Sequence, residues 1–67
     1  MTVRVVFQLP RTWKAILADE KRREVQEVLH DVIEICKGPD YLTFRYSDRT
    51  SYSLALDYVT EYEVLSQ

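Results

Sequence analysis

Hydrophobic and polar residues alternate along the opening stretch TVRVVFQL. Val3, Val5, Phe7 and Leu9 fall on one side of an extended chain, and polar residues occupy most of the positions between them. A period of two that is rich in β-branched residues predicts a strand with one buried face. Pro10 has no amide hydrogen to donate to a neighbouring strand, so we expect the strand to end there.

A helical period replaces this alternation further along the chain, and the segment from Arg11 to Lys37 is predicted to be helical. Six apolar residues follow the i, i+3, i+4, i+7 spacing of an amphipathic helix. They are Val25, Val28, Leu29, Val32, Ile33 and Cys36. Lys37-Gly38-Pro39 resembles a helix stop, because glycine accepts the left-handed cap and proline cannot continue the helix. The pattern predicts one main helix over about residues 19–37.

The residues before this helix are also apolar at helical spacing. Trp13, Ile16 and Leu17 would lie on the side opposite the later apolar stripe if the helix were straight. We therefore predict a break near Ala18-Asp19, preceded by a short helical turn at 12–17 that packs Trp13 and Leu17 against the sheet edge. The alternative is an unbroken helix that presents Trp13, Ile16 and Leu17 to a partner.

The last third of the chain alternates again, in YLTFRYS, SYSLAL and TEYEVL, and is predicted to form three strands. Tyr46, Tyr52 and Tyr62 are expected on the inward face. The pattern pairs Tyr46 with Tyr52 and Phe44 with Leu54, which requires a loop of three or five residues rather than two. These elements predict an α+β fold of two layers in the order β-α-β-β-β, with the main helix packed on a mostly antiparallel sheet.

Length and composition are those of one small folded domain, residues 1–67, with 46% hydrophobic and 12% aromatic residues. A core of this size is marginal, and one cysteine cannot form an internal disulfide. We therefore expect self-association, most simply as a dimer. No apolar run has the length of a membrane span, and the lone cysteine suits a reducing compartment, so we expect a cytoplasmic protein.

Charge is distributed unevenly along the chain. Residues 1–23 carry a net charge of +4 and residues 24–67 carry −6. Five carboxylates would form one stripe on the exposed side of the predicted helix, where like charges repel. They are Glu20, Glu24, Glu27, Asp31 and Glu34. The stripe is either a docking surface for a basic partner or an ordinary solvated helix face.

Three functional classes remain open. Two outward arginines, Arg4 and Arg45, and the cluster Lys21-Arg22-Arg23 are the basis of a nucleic-acid-binding alternative. His30 is expected to be exposed and Cys36 to be a buried structural thiol. No residue pattern indicates a catalytic group, a metal or a cofactor, so an enzyme would require a site between subunits.

The function we expect is a small, non-enzymatic interaction module of the inhibitor or adaptor type that binds another protein. Tryptophan and tyrosine carry much of the binding energy in protein interfaces. The predicted contact residues are therefore Trp13, Ile16 and Leu17 near the helix start, with Tyr41 and Tyr58 as further aromatic anchors.

Overall fold

Strands account for most of the chain. A computed structural model describes residues 1–9, 13–18, 21 and 23–67. Six strands, one short α-helix and one 3-10 turn follow one another within these residues. They are β1 (Thr2–Gln8), α1 (Trp13–Leu17), β2 (Glu24–Leu29), β3 (Val32–Lys37), β4 (Tyr41–Tyr46), β5 (Ser51–Ala55), η1 (Leu56–Tyr58) and β6 (Val59–Ser66).

The strands form two three-stranded antiparallel sheets. Sheet A has the order β2-β1-β6, and sheet B has the order β3-β4-β5. The first strand therefore lies in the middle of sheet A, paired with the last strand on one side and with β2 on the other. The Val32 amide donates to the Met1 carbonyl at 3.0 Å, which ties the start of β1 to β3 of sheet B.

One apolar core joins the inward faces of the two sheets. Sheet A supplies Val3, Val5 and Phe7 from β1 and Leu29 from β2, and sheet B supplies its own buried residues. Those of sheet B are Val32, Leu42 and Phe44. The alternation predicted for β1 is confirmed in part, because Val3, Val5 and Phe7 are buried while Arg4 and Gln8 are only partly buried. Val6 on the opposite side is buried as well, and Leu9, which was expected to face inward, is exposed.

The predicted main helix over residues 19–37, and with it the α+β fold, is wrong. Most of the described part of this segment is strand, in β2 and β3. Its valines and isoleucines are β-branched and favour the pleated backbone. Gly38 does not cap a helix; its amide donates to the Tyr41 carbonyl at 2.9 Å, in the turn between β3 and β4. Asp19 and Glu20, where the helix was expected to begin, lie outside the described residues.

The prediction of an acidic stripe is also wrong, because the helix that would align these carboxylates does not form. In β2, Glu24 is exposed, while Glu27 is half-buried on the inward face with Val25 and Leu29. Asp31 is exposed at the bend between β2 and β3, with a φ of 60°. Glu34 is exposed on β3, and Glu20 is outside the described residues. Successive carboxylates thus belong to different faces and different sheets.

The hairpin of β4 and β5 has the predicted faces but a different register. Phe44 pairs with Tyr52 rather than Leu54, and Leu54 pairs with Leu42. The Tyr46 amide donates to the Thr50 carbonyl at 2.9 Å, which closes a three-residue loop. Arg49 ends this loop with a φ of 72°, the left-handed conformation that three-residue hairpin loops use. The predicted pairing is therefore displaced by two residues, which keeps every side chain on its expected face.

Candidate functional site

The connection between β1 and β2, residues 9–23, is termed the arm. Its base continues the sheet, because the Leu9 amide donates to the Arg23 carbonyl at 2.8 Å. The helix α1 lies within it, where Lys, Ala and Leu are good helix formers. The Ala18 amide donates to the Lys14 carbonyl at 3.0 Å and completes the last helical turn.

Three large apolar side chains of α1 are exposed. Trp13 is 80% exposed, Leu17 is 82% exposed and Ile16 is 49% exposed. Their i, i+3, i+4 spacing places them on one side of the helix, so they form a common surface, termed the arm patch. The predicted short helical turn is therefore present, but Trp13 and Leu17 do not pack against the sheet edge as predicted.

The two tyrosines predicted as anchors lie elsewhere. Tyr41 starts β4 on the outer face of sheet B, opposite Ala55, and is 57% exposed. Tyr58 is half-buried in η1, between β5 and β6. The five predicted contact residues thus come from three separate elements, and only Trp13, Ile16 and Leu17 share one surface.

A groove of about 450 Å³ lies beside the start of β6. Leu42, Leu56, Val59 and Tyr62 give it apolar walls, and the charged side chains of Lys37 and Glu61 also line it. Tyr62 points inward, with its ring edge-on to Phe44 at 6.3 Å between ring centres, yet it is 44% exposed. Among the described strands β6 pairs only with β1, so its other edge borders this opening.

The outward arginines are engaged in ion pairs. Arg4 lies on sheet A at 2.8 Å from Glu63 and 3.3 Å from Glu61, and the hydrogen bond to Glu63 is the main cause of its raised pKa. Arg45 lies on sheet B at 3.3 Å from Glu34. The two arginines are therefore on different sheets, and each is balanced by carboxylate. This arrangement does not favour a joint phosphate-binding surface.

Cys36 is not the buried structural thiol that the sequence predicts. It is half-buried on the outer face of sheet B, and its Sγ donates to Glu34 Oε1 at 2.7 Å. That hydrogen bond, with burial and the charge of Glu34 as smaller causes, raises the pKa of the thiol. A raised pKa keeps the thiol protonated, so it is a poor nucleophile at neutral pH.

Two tyrosines and one carboxylate meet on the inward side of the sheets. Burial raises the pKa of both Tyr46 and Tyr52, and the negative charge of Glu27 raises each further. A neutral phenol beside a carboxylate can donate a hydrogen bond, but it does not act as a base.

A polar hollow of about 310 Å³ lies where the bend between β2 and β3 meets the turn between β4 and β5. It is lined by His30, Asp31 and Asp48, among others. Asp48 accepts hydrogen bonds from the hydroxyl and the amide of Thr50, and these lower the pKa of the carboxyl. Within the described residues, no group of three side chains is placed to hold a metal ion.

The sequence pattern did not predict the groove. Its residues come from the end of β3, from β4, from η1 and from the start of β6, so only the tertiary fold assembles them. The available signal was the stretch LDYVTEYEV, which places apolar residues beside three acids without a basic residue.

Comparisons with known proteins identify no relative. No protein-family model matches the chain, and neither a curated protein nor a solved structure resembles it significantly. None of the helices in the described ranges has the length and apolar character needed to cross a membrane.

Proposed function

We propose that this chain is a small, non-enzymatic interaction module, of the inhibitor or adaptor type, that binds another protein through the arm patch. The observation that carries the proposal is the exposure of Trp13, Ile16 and Leu17 on one side of α1. Contiguous exposed apolar surface of this kind usually marks an interaction site.

The core does not need these side chains. The residues that fill it come from β1, β2, β3 and β4. Trp13 and Leu17 thus add little to the stability of the fold, and their exposure to water is unfavourable until a partner covers them. The exposure of Trp13 is therefore better explained by a role in binding a partner than by a role in stabilising the fold.

The magnitudes indicate a modest affinity for the arm patch by itself. A tryptophan buries about 150–250 Å² when covered, so burying the exposed four-fifths of Trp13 contributes roughly 4 kcal/mol. Leu17 adds about 2 kcal/mol. Association costs about 4–15 kcal/mol in lost freedom of motion. The arm patch therefore anchors the contact, and further surface must contribute to a tight complex.

Location in the cytoplasm is part of the same proposal. Cys36 is a free thiol, which suits a reducing compartment.

Site-specific photocrosslinking tests the proposal. A benzophenone amino acid at position 17 replaces an exposed leucine and leaves Trp13 in place, and the same amino acid at position 33 replaces Ile33, which is exposed on β3. We expect a discrete protein adduct from position 17 only, and we expect Trp13→Ala in the same chain to abolish it while circular dichroism stays unchanged. Equal labelling from the two positions, or an adduct that survives Trp13→Ala, contradicts the proposal.

A further inference from the structure

We propose that the partner of the arm patch is a second copy of this chain, and that the arm of one protomer docks into the groove beside β6 of the other. This inference rests on the proposed function, because it names the occupant of the same surface. Both halves of the contact are present in every chain, so two copies can exchange arms reciprocally and form a closed, two-fold symmetric dimer.

The groove has the size and lining for the arm patch. A cavity of about 150 Å³ lined by apolar side chains admits a benzene ring. The groove measures about 450 Å³, roughly three times that, which accommodates an indole together with an aliphatic side chain. Leu56, Val59 and Tyr62 offer apolar contacts to such a group, and Tyr62 is left 44% exposed without it.

The charges of the two surfaces are complementary. Residues 9–23, the arm, carry a net charge of +3, and residues 56–66, which run from η1 through β6, carry −3 with no basic residue. Arg4 of β1 pairs with both Glu61 and Glu63, so two carboxylates face one arginine and this cluster keeps a negative charge. Lys14, beside Trp13 on α1, is exposed, and so is Glu61 at the groove. Lys37 also lines the groove, so attraction comes from the β6 side of it. Opposite charge on the two surfaces orients the docking and speeds association.

The same charges make other pairings of two copies less favourable. Direct antiparallel pairing of β6 with β6 of a second copy would bring Glu61 and Glu63 of both chains together on one face. Arg4 offsets only one of these two carboxylates, and docking of the basic arm instead brings a cation towards Glu61, which lines the groove. Trp13 is exposed in the single chain, so the arm does not occupy the groove of its own protomer.

The experiment measures mass and tryptophan environment together across a dilution series. Trp13 is the only tryptophan in the chain, so its emission reports directly on the arm. We expect sedimentation to show a dimer at high concentration, with blue-shifted emission that moves to the red as the dimer dissociates on dilution. We also expect added salt to weaken the dimer.

Two variants separate the arm from the groove. Trp13→Ala removes the anchor, and Thr60→Lys adds a positive charge to an exposed position that lines the groove. Each is expected to raise the dimer dissociation constant by roughly 30-fold or more, as expected for an interface hot spot. The matched controls are Ile33→Ala, an exposed apolar residue on β3, and Ser51→Lys, an exposed position on β5; both should leave the dimer intact.

Mixing the two variants gives the sharpest result. A mixed dimer keeps one intact contact, in which Trp13 of the Thr60→Lys chain enters the unaltered groove of the Trp13→Ala chain. We therefore expect the mixture to dimerise at concentrations at which each variant alone is a monomer. A monomer of native sequence at millimolar concentration overturns the inference, and so does a dimer that neither variant weakens.

Failure of this inference is distinguishable from failure of the proposed function. If the chain stays a monomer but crosslinks a different protein through position 17, the arm patch binds and the second copy is the wrong partner. If it stays a monomer and position 17 crosslinks nothing beyond the position 33 control, both proposals are wrong. Blue-shifted emission in a monomer at every dilution places the arm in its own groove and overturns the exchange.

Discussion

The exposed Trp13 and the buried Phe44 should respond very differently to truncation. Phe44 is fully buried among core residues of both sheets and contacts the Tyr62 ring edge-on. Phe→Ala substitutions in cores cost about 3–5 kcal/mol. Only one-fifth of Trp13 is covered, or about 30–50 Å² of a tryptophan's area. At about 25 cal/mol per Å², Trp13→Ala should cost about 1 kcal/mol.

These costs matter because the free energy of unfolding is small. A chain of 67 residues is expected to have about 3–10 kcal/mol in total. Phe44→Ala should therefore leave the protein largely unfolded or close to it, whereas Trp13→Ala should remain folded. The measurement is urea unfolding followed by far-ultraviolet circular dichroism, at concentrations at which sedimentation shows a monomer.

Tyr41→Ala is the matched control for Phe44→Ala, because Tyr41 lies on the same strand but is exposed on the outer face. A larger part of Tyr41 than of Trp13 is covered, so Tyr41→Ala should cost about 2 kcal/mol, which is still less than the cost of Phe44→Ala. A loss for Trp13→Ala as large as that for Phe44→Ala would show that the arm belongs to the core, and would refute the separation of recognition from folding on which the proposed function depends.

Three further predictions follow from individual side chains. Arg49→Gly should raise the free energy of unfolding by about 0.5–1 kcal/mol in urea titrations, because Arg49 has a φ of 72° that costs a side chain more than it costs glycine; a loss of stability would contradict this. Glu34→Gln should speed alkylation of Cys36 at pH 8, because the carboxylate raises the pKa of the thiol; an unchanged rate contradicts the hydrogen bond. Tyr52 should ionise above its ordinary pKa in absorbance titrations, because burial and then Glu27 raise that pKa, and Glu27→Gln should remove part of the shift. The raised pKa favours the protonated fold, so this contribution to stability is complete below the ordinary tyrosine pKa and is lost as pH rises through the raised one; stability that increases there contradicts it.

The strands at both ends of the chain were predictable, whereas the middle ones were not. β1, β4, β5 and β6 keep a recognisable alternation of inward and outward side chains, which is visible in sequence. Between residues 24 and 37 the inward face changes phase twice. It shifts at the bend around Asp31, where φ is 60°, and again at the irregularity between Val32 and Glu34. Because the inward face changes twice in so short a stretch, the apolar residues lose their period of two and are spaced three and four apart, as in a helix.

Exposed apolar residues also contributed to the helix-like spacing of β2 and β3. Val28 and Ile33 belong to the apparent helical stripe, yet both are exposed on their strands. Ile35 lies off that stripe and is nevertheless partly buried against the core. A high content of β-branched residues and the position of Ile35 were the signals for strand, and they were outweighed by periodicity.

The arm patch was predictable and the groove was not, for a similar reason. Trp13, Ile16 and Leu17 are close in sequence, and their helical spacing is local. The groove exists only because β6 returns to pair with β1 and because η1 lies beside the end of β3. Contacts of such long sequence separation depend on which strand pairs with which, and alternation alone does not specify that.

The central place of β1 in sheet A has a kinetic consequence. The ladder that joins Val3 to Val64 cannot form until nearly all of the intervening chain has been synthesised. Until then the ribosome-bound chain carries Val3, Val5 and Phe7 without their final cover. Pairing between distant segments slows folding because the entropy of closing a long loop is lost before the contacts form. Removal of β6 should thus deprive β1 of one of its two neighbours, and chaperones that bind short apolar stretches are expected to bind the exposed residues of β1.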